Sequence, residues 1–124
     1  MNSTSNSLYV AALLANFFEA GCAIQILVGD ASQKQYEASR LTRPEVETQM
    51  RIMINTAKVL PEGVCKKMPK IDWQSWAELG EFLPPQDAYS RDLVWNVIEF
   101  WLPRDGMELR RYRRQLTQLW RFKT

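Results

Sequence analysis

Glu81, Asp87 and Tyr89 are the residues of this chain whose types and spacing suggest chemistry, together with a row of arginines near its end. The first three lie between Trp73 and Trp95, in a stretch broken by Pro84-Pro85. Two carboxylates six residues apart have the donors for a metal ion, but carboxylates on a loop are far more often simply solvated. Histidine is absent from all 124 residues, which removes imidazole as base, proton shuttle or metal ligand. No metal and no cofactor are expected.

The two cysteines, Cys22 and Cys65, are far apart and form no C-x-x-C pair, so neither a disulfide framework nor a zinc site is expected. Cys22 in an apolar run reads as core packing. Lys66 and Lys67 beside Cys65 would favour its thiolate, yet with no base nearby an inert loop thiol is expected. Arg110, Arg111, Arg113 and Arg114 span an arc of about 160° at roughly 100° per helical residue, with Arg121 and Lys123 beyond. Such a row suits phosphate contacts, with Tyr112 or Trp120 placed to stack a base. A solvated helix face paired with Glu108 explains the same pattern.

These residues sit in a chain of ordinary globular composition, 46% hydrophobic and 24% charged, with a net charge of +2. Its length suits one domain with a single core. Residues 1–7 read as a frayed polar tail, 8–120 as one helical domain and 121–124 as a basic tail. No run approaches the roughly 20 apolar residues of a membrane span, and the reduced cysteines suit the cytoplasm.

The periodicity predicts an all-α bundle of four to five helices. The first runs from Leu8 to Gly29 and is apolar nearly all round, interrupted by Asn16, Glu19 and Gln25. It must therefore be covered on more than one face, either centrally or at a subunit interface. Residues 31–41 read as a loop with a turn or two. Thr42 as N-cap opens a second helix to Leu60, whose stripe is Val46, Met50, Met53, Ala57 and Leu60. Residues 64–70 read as a short basic segment. Asp72 is expected to cap a third helix, Trp73 to Phe82, stopped by Pro84-Pro85. A fourth runs from Asp87 to Leu102 and ends at Pro103. A fifth, from Asp105 to Trp120, opens on an Asp105/Glu108 capping box. No period-2 pattern or hairpin turn competes with these helices.

The order of motifs resembles the HepT-like proteins of the HEPN superfamily. Val46 to Leu60 matches their Ile-, Leu- and Ala-rich helix, and Pro69-Lys70-Ile71-Asp72-Trp73 their P-x-I-x-W corner. Asp92-Leu93-Val94-Trp95 resembles D-L-x-x-V-W two residues shortened, and Leu102-Pro103 resembles D-L-P with Trp101 for the Asp. The likeness covers about Tyr36 to Leu116. It implies a helical bundle that pairs as a homodimer. It also implies an RNA-cleaving Arg, with a His about five residues on and often x-Tyr after that.

Here that motif is missing. Counted from Trp73, Gly80 stands for the Arg, Glu81 for the usual Asn and Pro85 for the His; counted back from Trp95, Pro84 takes the His position. Asp87-Ala88-Tyr89 mimics H-x-Y only in a shifted register, with Phe82 then at the Arg position. RNA cleavage without metal needs a group to move the 2′-OH proton and a cation for the phosphorane, and neither stands at these positions. The resemblance therefore implies a catalytically inactive HepT-like protein that acts by binding. Its partner would be a second copy or another protein, such as a nucleotidyltransferase-type antitoxin. RNA binding without cleavage through the arginine row is the alternative, and a rewired ribonuclease the third.

Overall fold

The structure, a computed structural model, describes residues 3–120; Arg121 and Lys123 lie outside the described residues. Every regular element described is helical. The chain runs α1 (Ser3–Val28), α2 (Gln33–Ala38), α3 (Thr42–Val59), α4 (Glu62–Lys66) and α5 (Trp73–Glu78), then a 3-10 turn (Leu79–Phe82). It continues as α6 (Ala88–Asn96), a π-helical turn (Val97–Trp101), α7 (Leu102–Gln115) and a last 3-10 turn (Thr117–Trp120). The all-α bundle is as expected, with α2 and α4 as short additions. Residues 3–7 belong to α1 rather than to a tail.

α1 packs chiefly on α3 and also touches α7 and the last 3-10 turn. Its inward side buries Val10, Leu14, Phe17, Ala20, Ile24 and Val28. It ends where Gly29 takes a φ of 53°, a conformation that costs glycine nothing. Ser7–Val28 is, by length and composition, long and apolar enough to cross a membrane. Three separated polar residues lower the apolarity of such a stretch without abolishing it. In this fold a third of it is buried within the bundle.

On α3 the stripe Val46, Met50, Met53, Ala57 and Leu60 is buried throughout, as the helical period requires. Thr42 is not the cap: the helix begins at Thr42 itself, whose N–H donates to Ser39 Oγ at 3.0 Å. α2 carries a full capping box between Ser32 and Gln35, which is how so short and polar a segment holds a helix.

The aromatic residues meet at the centre. Trp76 packs edge-on against Phe17 and Trp101, both at 5.3 Å between ring centroids, and Trp73 lies 5.0 Å from Phe17. The corner at Trp73 is thereby locked to α1 through Phe17 and, through Trp76, to the π-helical turn that carries Trp101. Tyr112 fastens it from α7, its hydroxyl accepting the Lys70 N–H at 3.0 Å.

Pro103 does not break the chain's last long helix. A proline lacks an N–H and its ring crowds the carbonyl four residues back. Here the turn before it widens: the Leu102 N–H reaches the Val97 carbonyl, five residues back, and the helix resumes. α6, the π-turn and α7 form one rod from Ala88 to Gln115. Asp105 consequently lies inside a helix, not at its start, and no capping box forms with Glu108. α7 also ends at Gln115 instead of Trp120.

Candidate functional site

The Trp73–Trp95 interval carries Glu81, Asp87 and Tyr89, and its start is set by local chemistry. Asp72 caps α5: Oδ1 accepts the Ser75 N–H at 3.0 Å and Oδ2 the Ser75 hydroxyl at 2.7 Å. The Ser75 hydroxyl first, and the Ser75 N–H second, hold this carboxyl below its ordinary range. A carboxyl depressed in the folded state adds stability above its unfolded value and loses it as the pH falls through the folded one. Asp72→Ala should therefore cost about 1 kcal/mol at neutral pH. The deficit should close in strongly acidic solution, where both proteins have lost the cap; urea unfolding at the two pH values measures it.

Gly80, Glu81, Asp87 and Tyr89, which the resemblance singles out, each have a separate structural setting. Gly80 packs against α3, where a Cβ would meet Ile54 Cγ2 at 3.3 Å. Ile54 is itself buried, so any side chain at this position would have to push it aside by a few tenths of an ångström. Glu81 is exposed on the same turn. Asp87 is an N-cap, with Oδ1 accepting the Ser90 N–H at 2.8 Å and the Ser90 hydroxyl at 2.6 Å. These bonds, the hydroxyl's first, lower its pKa. Its lone pairs thus serve the start of α6. Tyr89 is 68% exposed and its ring stands 6.0 Å from that of Phe82. Among the described residues no group of three or more Cys, Asp and Glu converges as a metal site.

The arginine row is divided by its partners. Arg110 lies over the Phe18 ring at 5.4 Å, and Arg111 Nη1 donates to Glu108 Oε1 at 3.0 Å. Arg113 and Arg114 remain exposed. Tyr112, expected as a stacking platform, is buried with its hydroxyl engaged by Lys70. Cys65 is half-buried, and burial pushes its thiol pKa up, against the lowering that its lysine neighbours suggested.

Comparison with protein-family models, with curated proteins and with solved structures gives no match. The site must therefore be read from its own geometry.

One feature of that geometry was missed. A cavity of about 390 Å³ opens between α2, the start of α3, the proline loop and α6. Pro84 and Pro85, the alternative His positions, form part of its wall, and the Leu83–Pro84 peptide is cis. Tyr36 and Trp95 stack across α2 and α6 at 5.8 Å, and Gln33 Nε2 donates to Asp92 Oδ1 at 2.7 Å, so these walls are tied together. Residues 31–41 carry no apolar stripe, and that hid Tyr36 among loop residues.

Proposed function

We propose that this chain is a non-catalytic, HepT-like interaction protein that works by pairing with a second copy through the outer face of α1. The observation that carries this reading is a stripe the bundle leaves partly uncovered, exposed at Tyr9, Asn16, Glu19 and Ile26 and half-buried at Ala12 and Ala23. Tyr9, Ala12, Asn16, Glu19, Ala23 and Ile26 alternate at three and four residues along α1, the spacing of a helix–helix seam. Ile26 is 81% exposed and Tyr9 51%. Beside them α3 exposes Ile52 and Val59, and a shallow groove between the helices is lined by Asn16, Ala23, Gln49 and Ile52.

Small residues let helices approach closely, and a polar pair in mid-seam fixes register and orientation at some cost in affinity. A two-fold pair would use the same patch on both copies. The divided arginine row weighs against the RNA-binding reading, and the capping duty of Asp87 against a rewired cleavage site. A nucleotidyltransferase-type antitoxin is the further partner to which the motif order points.

Sedimentation of the full chain tests the pairing. The parent should be dimeric at about micromolar concentration. Ile26→Glu, applied in both copies, should weaken it by about 3–6 kcal/mol, from about 1.5–3 for each buried apolar side chain. A parent that sediments as a monomer even at about 100 µM, near the weak end of specific association, would sink the proposal.

A further inference from the structure

The cavity at Tyr36 has the marks of a built site. Tyr36 is 3% exposed, and its hydroxyl has no hydrogen-bond partner among the described residues. A buried hydroxyl left unpaired costs about 1–3 kcal/mol, and this one is closed to solvent in the free protein, so a group in the cavity recovers that cost by displacing the wall that covers it. Its ring packs against that of Trp95 in a tilted pair at 5.8 Å between centroids.

Charges of both signs line the same space. Arg43 is held at the mouth by one bond, its Nη1 donating to the Glu37 carbonyl at 2.6 Å. Among the described residues the ion pairs are Lys66–Glu62, Arg104–Asp105 and Arg111–Glu108, so neither Arg43 nor Arg91 meets a carboxylate. Glu47 and Glu37 also line the cavity without an ion-pair partner among the described residues, Glu37 Oε2 accepting from Gln33 Nε2 at 2.9 Å. Prolines 44, 84 and 85 and Val94 supply rigid apolar wall. Burial first, and then the charge of Glu47, raises the Tyr36 pKa, so the phenol keeps its proton and can donate as well as accept.

We infer that this cavity binds a small zwitterion with an apolar side chain, a free amino acid or dipeptide, its carboxylate on Arg43 and Arg91, its ammonium on Glu47. The Tyr36 hydroxyl bonds one of the two ends. Guanidinium forks match a carboxylate in two-bonded geometry, and this rewards a carboxylate over other anions. A simple anion is opposed by Glu37 and Glu47, and a simple cation by the two arginines. The volume lies at the lower end for small-molecule sites, which restricts the ligand to something of dipeptide size. This site is separate from the α1 seam, and neither proposal depends on the other.

Titration calorimetry on the full chain, with phenylalanine and the dipeptide Ala-Phe as probes, tests the assignment. N-acetyl-phenylalaninamide, which lacks both charges, serves as the control. At least one zwitterion should bind, and the control should not. Arg91→Gln should weaken binding about tenfold or more, as loss of a charged hydrogen-bond donor does. Tyr36→Phe should also weaken it about tenfold, yet leave the ligand-free protein as stable as the parent or more so, because it deletes the unpaired group.

Four results would overturn the assignment. Neither probe binds at about 10 mM, a concentration that detects even millimolar affinity. The blocked compound binds as well as the zwitterions do. Both variants bind like the parent. Finally, Tyr36→Phe destabilises the free protein, showing that the hydroxyl already has a partner.

Discussion

Replacing Trp76 by alanine is expected to lower the stability of the fold by about 3–5 kcal/mol. Trp76 is fully buried, and it is where three elements meet: α1 through Phe17, the π-turn through Trp101, and α7 through Asp105. Its removal opens a cavity that the flanking rings cannot close, because Phe17 is itself fixed against Trp73. It also strands Asp105, which loses its one neutral donor among the described residues. A typical domain is stable by about 5–15 kcal/mol, so this one change takes a large share. The thermal midpoint should fall by about 10–20 °C. Trp76→Phe separates the two contributions: it keeps an aromatic filling and removes the N–H, and should cost about 1–3 kcal/mol. Equal losses from alanine and phenylalanine would show that ring packing contributes nothing, contrary to the geometry.

Asp105→Ala is expected to cost about 2–4 kcal/mol, and for a different reason. The carboxylate is 1% exposed, inside α7, and both of its oxygens are used. Oδ2 accepts the Trp76 N–H at 2.8 Å, while Arg104 forks across both oxygens at 2.9 and 3.2 Å. Alanine leaves the indole N–H with no acceptor in a site closed to water. Arg104, half-exposed, can turn back to solvent and loses little. The same asymmetry makes Arg104→Ala costly, at about 3 kcal/mol, because the buried charge then keeps one neutral donor alone. Asp105→Asn retains an acceptor for the indole and should cost least of the three. Chemical denaturation of these variants, with a double-mutant cycle against Trp76→Phe, checks the order; a fully additive cycle would remove the hydrogen bond from the account.

The helices of this protein were largely legible in its sequence, because helix formation is decided within a few residues. The buried stripe on α3 repeats at the helical period, and Asp72 finds its donor three residues on. Gly29 ends α1 by an intrinsic backbone freedom. The absence of an imidazole and the misfit of Gly80, Pro85 and Asp87 to a cleavage motif were likewise plain in the order of residues. None of these needed a distant contact.

What the chain order left open depends on residues far apart in sequence. Asp105 beside Glu108 has the pattern of a capping box, and only the arrival of Trp76 from 29 residues upstream makes it a buried acceptor. Pro103 reads as a helix end, yet packing of the rod around Trp101 favours a widened turn that lets the helix continue. Tyr36 stands in a polar segment with no stripe, and it becomes a cavity wall because α6 brings Trp95 against it. A local pattern fixes which way one helix turns; which donors, rings and charges then face each other is settled by how the helices are stacked.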